Sequence, residues 1–146
     1  MDNILLSLNY FFKIHIDDVT DDNELFFSIE GLEMIYNLKT HHQCGELNET
    51  FVTDYLKTEQ IIIRRPITNH TTGFSKWCME TIEKNNFSPV SINIFILTNT
   101  KEICNHWIAE DAYPYGMRIS PLSIDSKNPV IMEEIYINYK KLKRLK

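Results

Sequence analysis

The chain has 146 residues, 43% of them hydrophobic and 12% aromatic, and a formal net charge of −5. This length and composition predict one globular domain, 1–146, and exclude a disordered or low-complexity chain. The basic segment 140–146, KKLKRLK, holds five of the 15 basic residues and no acid, so the body before it is acidic. Such uneven charge favours self-association or docking at least as much as a polyanion partner.

The three cysteines, Cys44, Cys78 and Cys104, form no closely spaced pair and are odd in number. Such a set is typical of reduced thiols, so we expect a cytoplasmic chain without disulfides. The stretch MDNILLSLNYFFKIHI lacks the basic region and the cleavage site of a secretion signal, and no apolar window is as long as a membrane span. We therefore predict no membrane insertion of the chain.

The first half of the chain has mainly a period of two. Apolar residues alternate in FFKIHID and predict a half-buried strand over 12–17. A second alternation runs over about 25–43 and changes parity at Gly31, which predicts one long strand bent at this glycine. Residues 44–60 lose the alternation, so we expect a long excursion between strands there. The segment 61–67, IIIRRPI, predicts a short strand.

One helix is predicted in the middle of the chain. In the segment GFSKWCMETIEKNN, four apolar residues follow the i, i+3, i+4, i+8 spacing of an amphipathic helix. These residues are Phe74, Trp77, Cys78 and Ile82. Thr71 or Thr72 is the candidate N-cap. We expect the helix to pack by this one face.

Four alternating segments follow the helix. They predict strands over 91–100, 103–112, 114–124 and 129–142, with a break at Tyr113-Pro114 between the second and the third. Together with the earlier segments this makes about six to eight strands, mostly consecutive, and one helix. We therefore predict a mainly β fold, a small antiparallel β-barrel or sandwich with one flanking helix.

Patterns for catalysis and metal binding are weak. A zinc site would combine His41, His42 and Cys44 with Cys104 and His106, yet no CxxC or HxxxH spacing occurs. Cys104 and His106 share a strand face and form the best pair for a thiol enzyme, but this spacing is more common on an ordinary strand face. No glycine-rich phosphate loop is present. We predict no catalytic residue, no metal and no cofactor.

Seven segments occur in an order and spacing that is more specific than any one of them. They are FFKIHI, FFSIEGLEMI, IIIRRPI, FSKWCMETIE, INIFIL, HWIAEDAYPYGMRI and MEEIYINYKKL. In this order they resemble the tail tube proteins of contractile phages and phage-tail-like contractile injection systems, which are related to type VI secretion tube proteins. The positions that carry the resemblance are Phe27, Gly31, Leu32, Glu33, Arg64, Arg65, Trp77, Trp107, Ala112, Tyr113 and Pro114.

The resemblance implies a barrel that assembles edge to edge with identical copies into a hexameric ring. Rings would stack into the inner tube of a contractile machine, and the subunit would be structural rather than an enzyme. Implied partners are further copies of the chain, a sheath protein, spike hub or baseplate proteins and protein cargo in the lumen. Nucleic acid is expected only if the particle is a phage. The subunit would assemble in the bacterial cytoplasm and then belong to a tail-like particle, membrane-anchored or released.

Two groups of candidate residues follow from the resemblance. Contacts between subunits or rings are expected at Cys44, Gly45, Phe51, Tyr55, Leu56, Arg64, Arg65, Lys140, Lys141, Lys143 and Arg144. The acidic segment 17–24 is a candidate partner for the basic segment 140–146. The residues expected to define the fold are Gly31, Trp77, Trp107, Tyr113 and Pro114.

Departures from the family pattern leave alternatives. Pro66 stands where a glycine is usual and Tyr113 where a tryptophan is usual, which fits a divergent member such as a tube-initiating or tube-capping ring at the baseplate or spike hub. A ligand-binding β-barrel is a further alternative and would need a closed apolar cavity. A thiol or zinc enzyme would need Cys104 and His106 to act together.

Overall fold

Short segments of alternating apolar residues form most elements of the chain. The computed structural model describes residues 8, 11–21, 24–41, 50–56 and 60–146. The elements in these ranges are β1 (Phe12–His15), β2 (Ser28–Glu30), β3 (Ile35–His41), β4 (Thr50–Leu56), β5 (Ile61–Pro66), α1 (Gly73–Ile82), β6 (Val90–Leu97), β7 (Ile103–Ile119), β8 (Met132–Asn138) and β9 (Lys141–Arg144). The prediction of a mainly β fold with one flanking helix is confirmed.

Seven strands form one antiparallel sheet in the order β1-β6-β7-β8-β5-β2, with β9 paired to β7. The sheet has two halves, because β7 changes partners along its length. Sheet A consists of β1, β6, the first part of β7 and β9; sheet B consists of the last part of β7, β8, β5 and β2. Within the described ranges no pairing of β1 with β2 closes the sheet, so the roll of strands stays open.

Strand β7 turns the corner between the two sheets. We expected two strands with a break at Tyr113-Pro114, and this is wrong, because β7 runs without interruption from Ile103 to Ile119. The strand pairs with β6 as far as Ala112 and with β8 from Tyr113 onward. Pro114 is tolerated because it lies beside a register shift, on the part of β7 that pairs with one described strand only.

Side-chain contacts fix this corner. Pro114 is fully buried. The Tyr113 hydroxyl accepts a hydrogen bond from Asn138 Nδ2 at 2.8 Å, and the Tyr113 ring meets that of Phe87 edge-on at 4.5 Å between centroids. Before the corner, the indole N–H of Trp107 donates to the side chain of Asn105 on the same strand. The turn of β7 is therefore held by packing and by hydrogen bonds on both sides of it.

Isoleucines that alternate along the strands form the core. Directly opposite pairs recur, such as Ile14 with Ile94 on β1 and β6, and Ile63 with Ile135 on β5 and β8. Each buried isoleucine contributes about 1.5–3 kcal/mol relative to an exposed one, so these rows hold the rolled sheet together. The buried apolar strand residues are Ile14, Ile61, Ile63, Ile92, Ile94, Ala109, Ala112, Ile135, Ile137 and Leu142.

Helix α1 packs against this core with three residues of the predicted stripe, whereas its fourth residue, Ile82, is half-buried. Phe74, Trp77 and Cys78 are buried, and the Phe74 ring lies 5.2 Å from that of Phe26 in an edge-to-face arrangement. The Trp77 indole N–H donates to the carbonyl of Ser88 at 3.4 Å. Burial raises the pKa of the Cys78 thiol well above its usual range, so the thiol stays protonated and packs as a core residue. No helix in the described ranges is long and apolar enough to cross a membrane.

The long bent strand expected over 25–43 is instead two strands, β2 and β3. The division follows Gly31, whose φ of 97° lies in the left-handed region. A Cβ at this position would be 2.2 Å from the carbonyl oxygen of Gln60, so the backbone here passes close to the start of β5. Gly31 therefore ends β2 instead of bending one strand, and β3 leaves the sheet.

The acidic segment holds the N-terminus of α1. Asp21 Oδ2 accepts the Gly73 N–H at 2.8 Å, and Glu24 Oε1 accepts the Phe74 N–H at 2.9 Å. Carboxylates are stabilising at this position because the first helical N–H groups have no partner within the helix. Part of the segment 17–24 is therefore used inside the chain.

Replacing Thr72 by alanine is expected to lower the free energy of unfolding by about 1 kcal/mol, because Thr72 is the N-cap and its hydroxyl accepts the Ser75 N–H. Thr71→Ala is the matched control, since Thr71 is exposed and stands one residue before the cap. It should change the free energy by less than about 0.5 kcal/mol. Urea unfolding measures both values, and equal losses would contradict the capping role.

Candidate assembly surfaces

The contact candidates of the 44–60 region that are described in the structure lie on a hairpin formed by β3 and β4. Strands β3 and β4 pair over their whole length, from Ile35 opposite Leu56 to His41 opposite Thr50. The expectation of a loop is therefore wrong for 50–56, where pairing with β3 forms a strand. The candidates Cys44 and Gly45 lie outside the described residues.

This hairpin stands apart from the seven-stranded sheet. No other described helix or strand contacts β3 or β4. Phe51, Tyr55 and Leu56, expected to contact a neighbouring subunit, all lie on β4. A two-stranded hairpin alone is at best marginally stable in water. The hairpin is therefore an arm suited to being held by another molecule.

Charged side chains of alternating sign cross the outer face of sheet B. Arg64 on β5 donates from Nη1 to Glu30 on β2 at 2.6 Å and from Nε to Glu134 on β8 at 3.0 Å. Arg118 on β7 is directly opposite Glu134. We call Glu30, Arg64, Glu134 and Arg118 the charge ladder. It spans all four strands of sheet B.

The ladder contacts shift the pKa values of its members. The hydrogen bond from Arg64, followed by that from the Tyr136 hydroxyl at 3.0 Å, lowers the pKa of Glu134. Hydrogen bonds to Glu134 and to Glu30 raise the pKa of Arg64. Arg64 was expected at a contact between subunits, and the structure gives it two partners within its own chain.

Arg65, the next residue, faces the interior. Its side chain is 4% exposed, donates from Nη1 to Ser75 Oγ at 2.7 Å and lies 5.5 Å from the centre of the Phe74 ring. Carboxylate oxygens of Glu24 and Glu133 approach the guanidinium at 3.8 and 4.0 Å. Arg65 therefore joins β5, β8, α1 and the acidic segment, although it too was proposed as a contact between subunits.

The basic segment 140–146 contributes a strand. β9 pairs with β7 and buries Leu142. Lys143 Nζ lies 2.9 Å from Glu110 Oε1, and Arg144 Nε donates to the carbonyl of Lys146 at 3.1 Å. These two candidates are exposed in part and also have partners in the chain.

Lys140 and Lys141 are exposed at the start of β9. The acidic segment 17–24 begins at the same end of sheet A, because β1, β6, β7 and β9 are paired in register across that sheet. β1 and β9 are its two outer strands, so the acidic and basic segments flank opposite edges at one level. A charge contact between them in neighbouring copies stays a prediction.

Side-chain contacts on sheet A involve His106, one residue of the pair proposed for a thiol enzyme. His106 Nε2 is hydrogen-bonded to Asn93 Oδ1 at 3.0 Å, and its ring stacks on Phe95 at 4.3 Å. An amide and an aromatic ring therefore orient the imidazole. In the part of the chain that is described, no group of three His, Cys, Asp or Glu side chains is placed to hold a metal ion. His42 and Cys44 lie outside that part.

A hydroxyl, an imidazole and a carboxylate form a chain of contacts that was not predicted from the sequence. Thr20 Oγ1 lies 3.3 Å from His15 Nδ1, and His15 Nε2 lies 2.8 Å from Asp17 Oδ1. The same hydroxyl donates to the carbonyl of Ile16 at 3.1 Å and accepts its N–H at 3.0 Å. The hydroxyl thus closes a local turn, which is a structural role typical of threonine.

The ligand-binding alternative would need a cavity within the barrel. A groove of about 830 Å³ lies instead at the connection between β7 and β8, and its lining among the described residues consists of 120–126 and 128–132. The strand interior at the same time is filled by buried isoleucines. The groove is therefore separate from the core, where a barrel would hold a ligand.

Sequence reasoning also missed Glu30, Glu134 and Arg118 as members of the charge ladder. Their signal was parity, because a residue next to a buried strand position faces outward. Glu134 precedes the buried Ile135, and Arg118 follows Met117, which packs against the core. Parity puts each of them on an outer face, but the strand order that brings them together is not visible in the sequence.

Known structures share this fold over almost the whole chain. The structure of the anti-feeding prophage baseplate, with six-fold symmetry, matches with a TM-score of 0.73 and 14% identity, covering 99% of this chain and 97% of the other. The PVC sheath-tube complex of an extracellular contractile injection system, in the extended state, gives 0.71 and 17%, covering 95% and 90%. Hcp1 from Flavobacterium johnsoniae gives 0.54 and 14%, covering 93% and 95%. No curated protein sequence matches the chain.

The sequence itself matches a family over most of its length. The model of that family, the T4-like virus tail tube protein gp19, matches residues 8–143. This span contains the hairpin, the helix, the charge ladder and all of the open sheet except Arg144, the last residue of β9. The chain therefore belongs to the family of the T4-like virus tail tube protein gp19.

Proposed function

We propose that the chain is a structural subunit of the inner tube of a contractile tail-like injection machine, in which hexameric rings stack inside a sheath. Membership of the tail tube family carries this proposal. It is supported by matches to a structure with six-fold symmetry and to a sheath-tube complex. The subunit acts mechanically as a single domain, 1–146, without catalysis or cofactor.

The described structure has surfaces on which such assembly can act. β1 and β2 are the ends of an open sheet, and unpaired strand edges are templates for pairing with another chain. Copies that join by two different surfaces form a closed ring when the rotation between neighbours divides the circle. The β3–β4 hairpin adds an arm that extends from the sheet.

Mass photometry and negative-stain electron microscopy of the purified chain test the proposal. We expect a species of six copies with a central hole, and tubes where rings stack. A chain that stays monomeric over the micromolar range, alone and mixed with its sheath protein, would count against the tube function.

Shortening the hairpin arm is expected to reduce ring or tube formation at least tenfold while leaving the fold intact. Tyr36 is opposite Tyr55, so replacing residues 37–54 by Asn-Gly leaves a two-residue hairpin turn. Because no other described element contacts the arm, the free energy of unfolding should change by less than about 1 kcal/mol. Urea unfolding and mass photometry separate the two effects.

A graded control joins Lys39 to Val52, also an opposite pair, by the same Asn-Gly turn. This variant keeps more of the arm and should assemble better than the shorter one. Full assembly of both variants would exclude the arm from contacts between copies.

Further partners follow from the same function. A sheath protein and baseplate or spike hub proteins fit the sheath-tube and baseplate structures that resemble the chain. Protein cargo in the lumen and assembly in a bacterial cytoplasm complete the proposal. Co-purification with the sheath and hub proteins of the same particle tests these partners.

A tube-initiating or tube-capping ring is the second candidate. The anti-feeding prophage cap, described as tube-terminating, matches with a TM-score of 0.72, close to the 0.71 of the sheath-tube complex. The two roles differ in stacking. A repeated tube subunit forms long tubes under conditions in which an initiating or capping subunit stops at one ring.

A further inference from the structure

Sheet B ends in two strands that each have one open edge. β2 pairs with β5, and the last part of β7, from Tyr113 to Ile119, pairs with β8. Neither has a second partner among the described strands. The two open edges lie at opposite ends of one four-stranded sheet. Two different surfaces of this kind are what a head-to-tail contact between identical copies requires.

Each of the two edges carries one exposed apolar residue and one exposed charged residue. Phe27 beside β2 is 68% exposed, and Ile119 at the end of β7 is 51% exposed. On the outer face, β2 carries Glu30 and β7 carries Arg118, both exposed. The apolar residues are therefore alike at the two edges, while the charges are opposite in sign.

The first and the last charge of the charge ladder, Glu30 and Arg118, are exposed at the two open edges of sheet B. Across the sheet its signs run negative, positive, negative, positive, from Glu30 through Arg64 and Glu134 to Arg118. Two of its three contacts are ion pairs, Glu30 with Arg64 at 2.6 Å and Arg64 with Glu134 at 3.0 Å. Arg118 forms no ion pair with another described residue, and the Glu30 side chain remains 52% exposed. A ladder that begins with a carboxylate and ends with a guanidinium continues without interruption when copies are placed end to end.

We propose that copies of this chain join through the two open edges of sheet B, with Arg118 of one copy paired to Glu30 of the next and Phe27 packed near Ile119 beneath that pair. The inference rests on the proposed ring function and adds which surfaces form the joint. In a closed ring the charge ladder becomes one continuous circle of alternating charge. Opposite charges at each joint fix the order of the edges, because two like edges would repel.

Charge reversal tests the joint. Arg118→Glu places a second carboxylate against Glu30 of the next copy, and Glu30→Arg places two cations together. Each variant alone should raise the concentration of half-maximal ring assembly about tenfold or more. Mixing the two variants in equal amounts should restore rings, because strict alternation of the two gives unlike charges at every joint. The double variant E30R/R118E should assemble by itself.

Two further variants sharpen the test. Lys84→Glu makes the same change of charge on an exposed residue after α1, away from both edges, and should assemble like the unmodified chain. Arg144→Glu changes β9, the outer strand of sheet A. This variant tests the alternative that copies join through sheet A instead of sheet B. Mass photometry measures assembly, and thermal unfolding shows that each variant is folded.

The possible outcomes distinguish the proposed joint between copies from the proposed ring-forming function. If the unmodified chain forms rings and Arg118→Glu forms them equally well, the joint is overturned and the tube function stands. The joint is also overturned if Arg144→Glu abolishes rings while Arg118→Glu does not. If the unmodified chain forms no rings at any concentration, both are contradicted. Assembly of the double variant supports the joint when each single variant fails to assemble, because only the double variant restores opposite charges at every contact.

Discussion

Replacing Arg65 by methionine is expected to lower the free energy of unfolding by about 3–5 kcal/mol, the cost of removing one partner from a buried ion cluster. Arg65 is 4% exposed and is the cation between Glu24 and Glu133. Methionine fills much of the same volume but leaves the two carboxylates without their cation. Guanidinium unfolding at pH 7 measures the loss.

Arg64→Met is the matched control, because it changes the neighbouring arginine in the same strand. Arg64 also binds two carboxylates, Glu30 and Glu134, but its side chain is 33% exposed. Exposed ion pairs contribute about 1 kcal/mol or less, so this variant should lose far less stability. Equal losses in the two variants would show that burial of the Arg65 cluster does not dominate its energetics.

The pH dependence of the Arg65 variant follows from Glu133. Burial raises the pKa of the Glu133 carboxyl, and the charge of Arg65 partly offsets this effect. An acid whose pKa is raised in the folded state binds its proton more tightly there, so stability from this group grows as the pH falls through the folded pKa. Removing Arg65 raises that pKa further. The stability difference between Arg65→Met and the unmodified chain should therefore be smaller at pH 5 than at pH 7.

The two arginines show how far sequence reasoning reaches. In IIIRRPI, Ile61, Ile63 and Arg65 share one parity, while Arg64 belongs to the other. The alternation of a strand therefore predicts that one arginine faces the core and one faces outward. On the basis of the resemblance to tube proteins, both arginines were expected at contacts between subunits or rings. Parity, applied to the arginines as it was to the isoleucines, would have separated them.

Long-range pairing explains most of the remaining differences. The alternation of isoleucines predicted β6 and β8, and the apolar stripe predicted α1, because these patterns depend on local periodicity. β4 depends on its pairing with β3, a contact that the sequence of β4 does not reveal because its apolar residues do not alternate. The course of β7 likewise depends on β6 and β8, which place Pro114 where β7 pairs with only one of the described strands.

The charge ladder also depends on pairing between strands that are distant in the sequence. Its members lie on β2, β5, β8 and β7, whose order in the sheet is unrelated to their order in the chain. Each residue alone has the pattern of an ordinary exposed charge. The strand order brings Glu134 between Arg64 and Arg118 and leaves opposite charges at the two edges. The candidate joint could therefore be found only after the sheet topology was known.

Replacing Gly31 by alanine is expected to lower the free energy of unfolding by about 3 kcal/mol or more, from an unfavourable φ together with a steric clash. The φ of 97° disfavours any residue with a Cβ, and that Cβ would lie 2.2 Å from the Gln60 carbonyl oxygen. Neither backbone segment yields easily, since one ends β2 and the other leads into β5. The substitution should also displace the β3–β4 hairpin, because Gly31 sets the direction in which the chain leaves the sheet.

Gly116→Ala is the matched control for this prediction. A Cβ at Gly116 would be 3.1 Å from Cδ2 of Tyr136, a side-chain atom that can move, and the φ of Gly116 is not in the left-handed region. The loss should therefore stay below about 1 kcal/mol. Urea unfolding of both variants compares them directly, and a loss at Gly31 no larger than at Gly116 would contradict the close backbone approach. The large loss is expected at Gly31 and not at Gly116 because only Gly31 combines a positive φ with a neighbouring main-chain carbonyl.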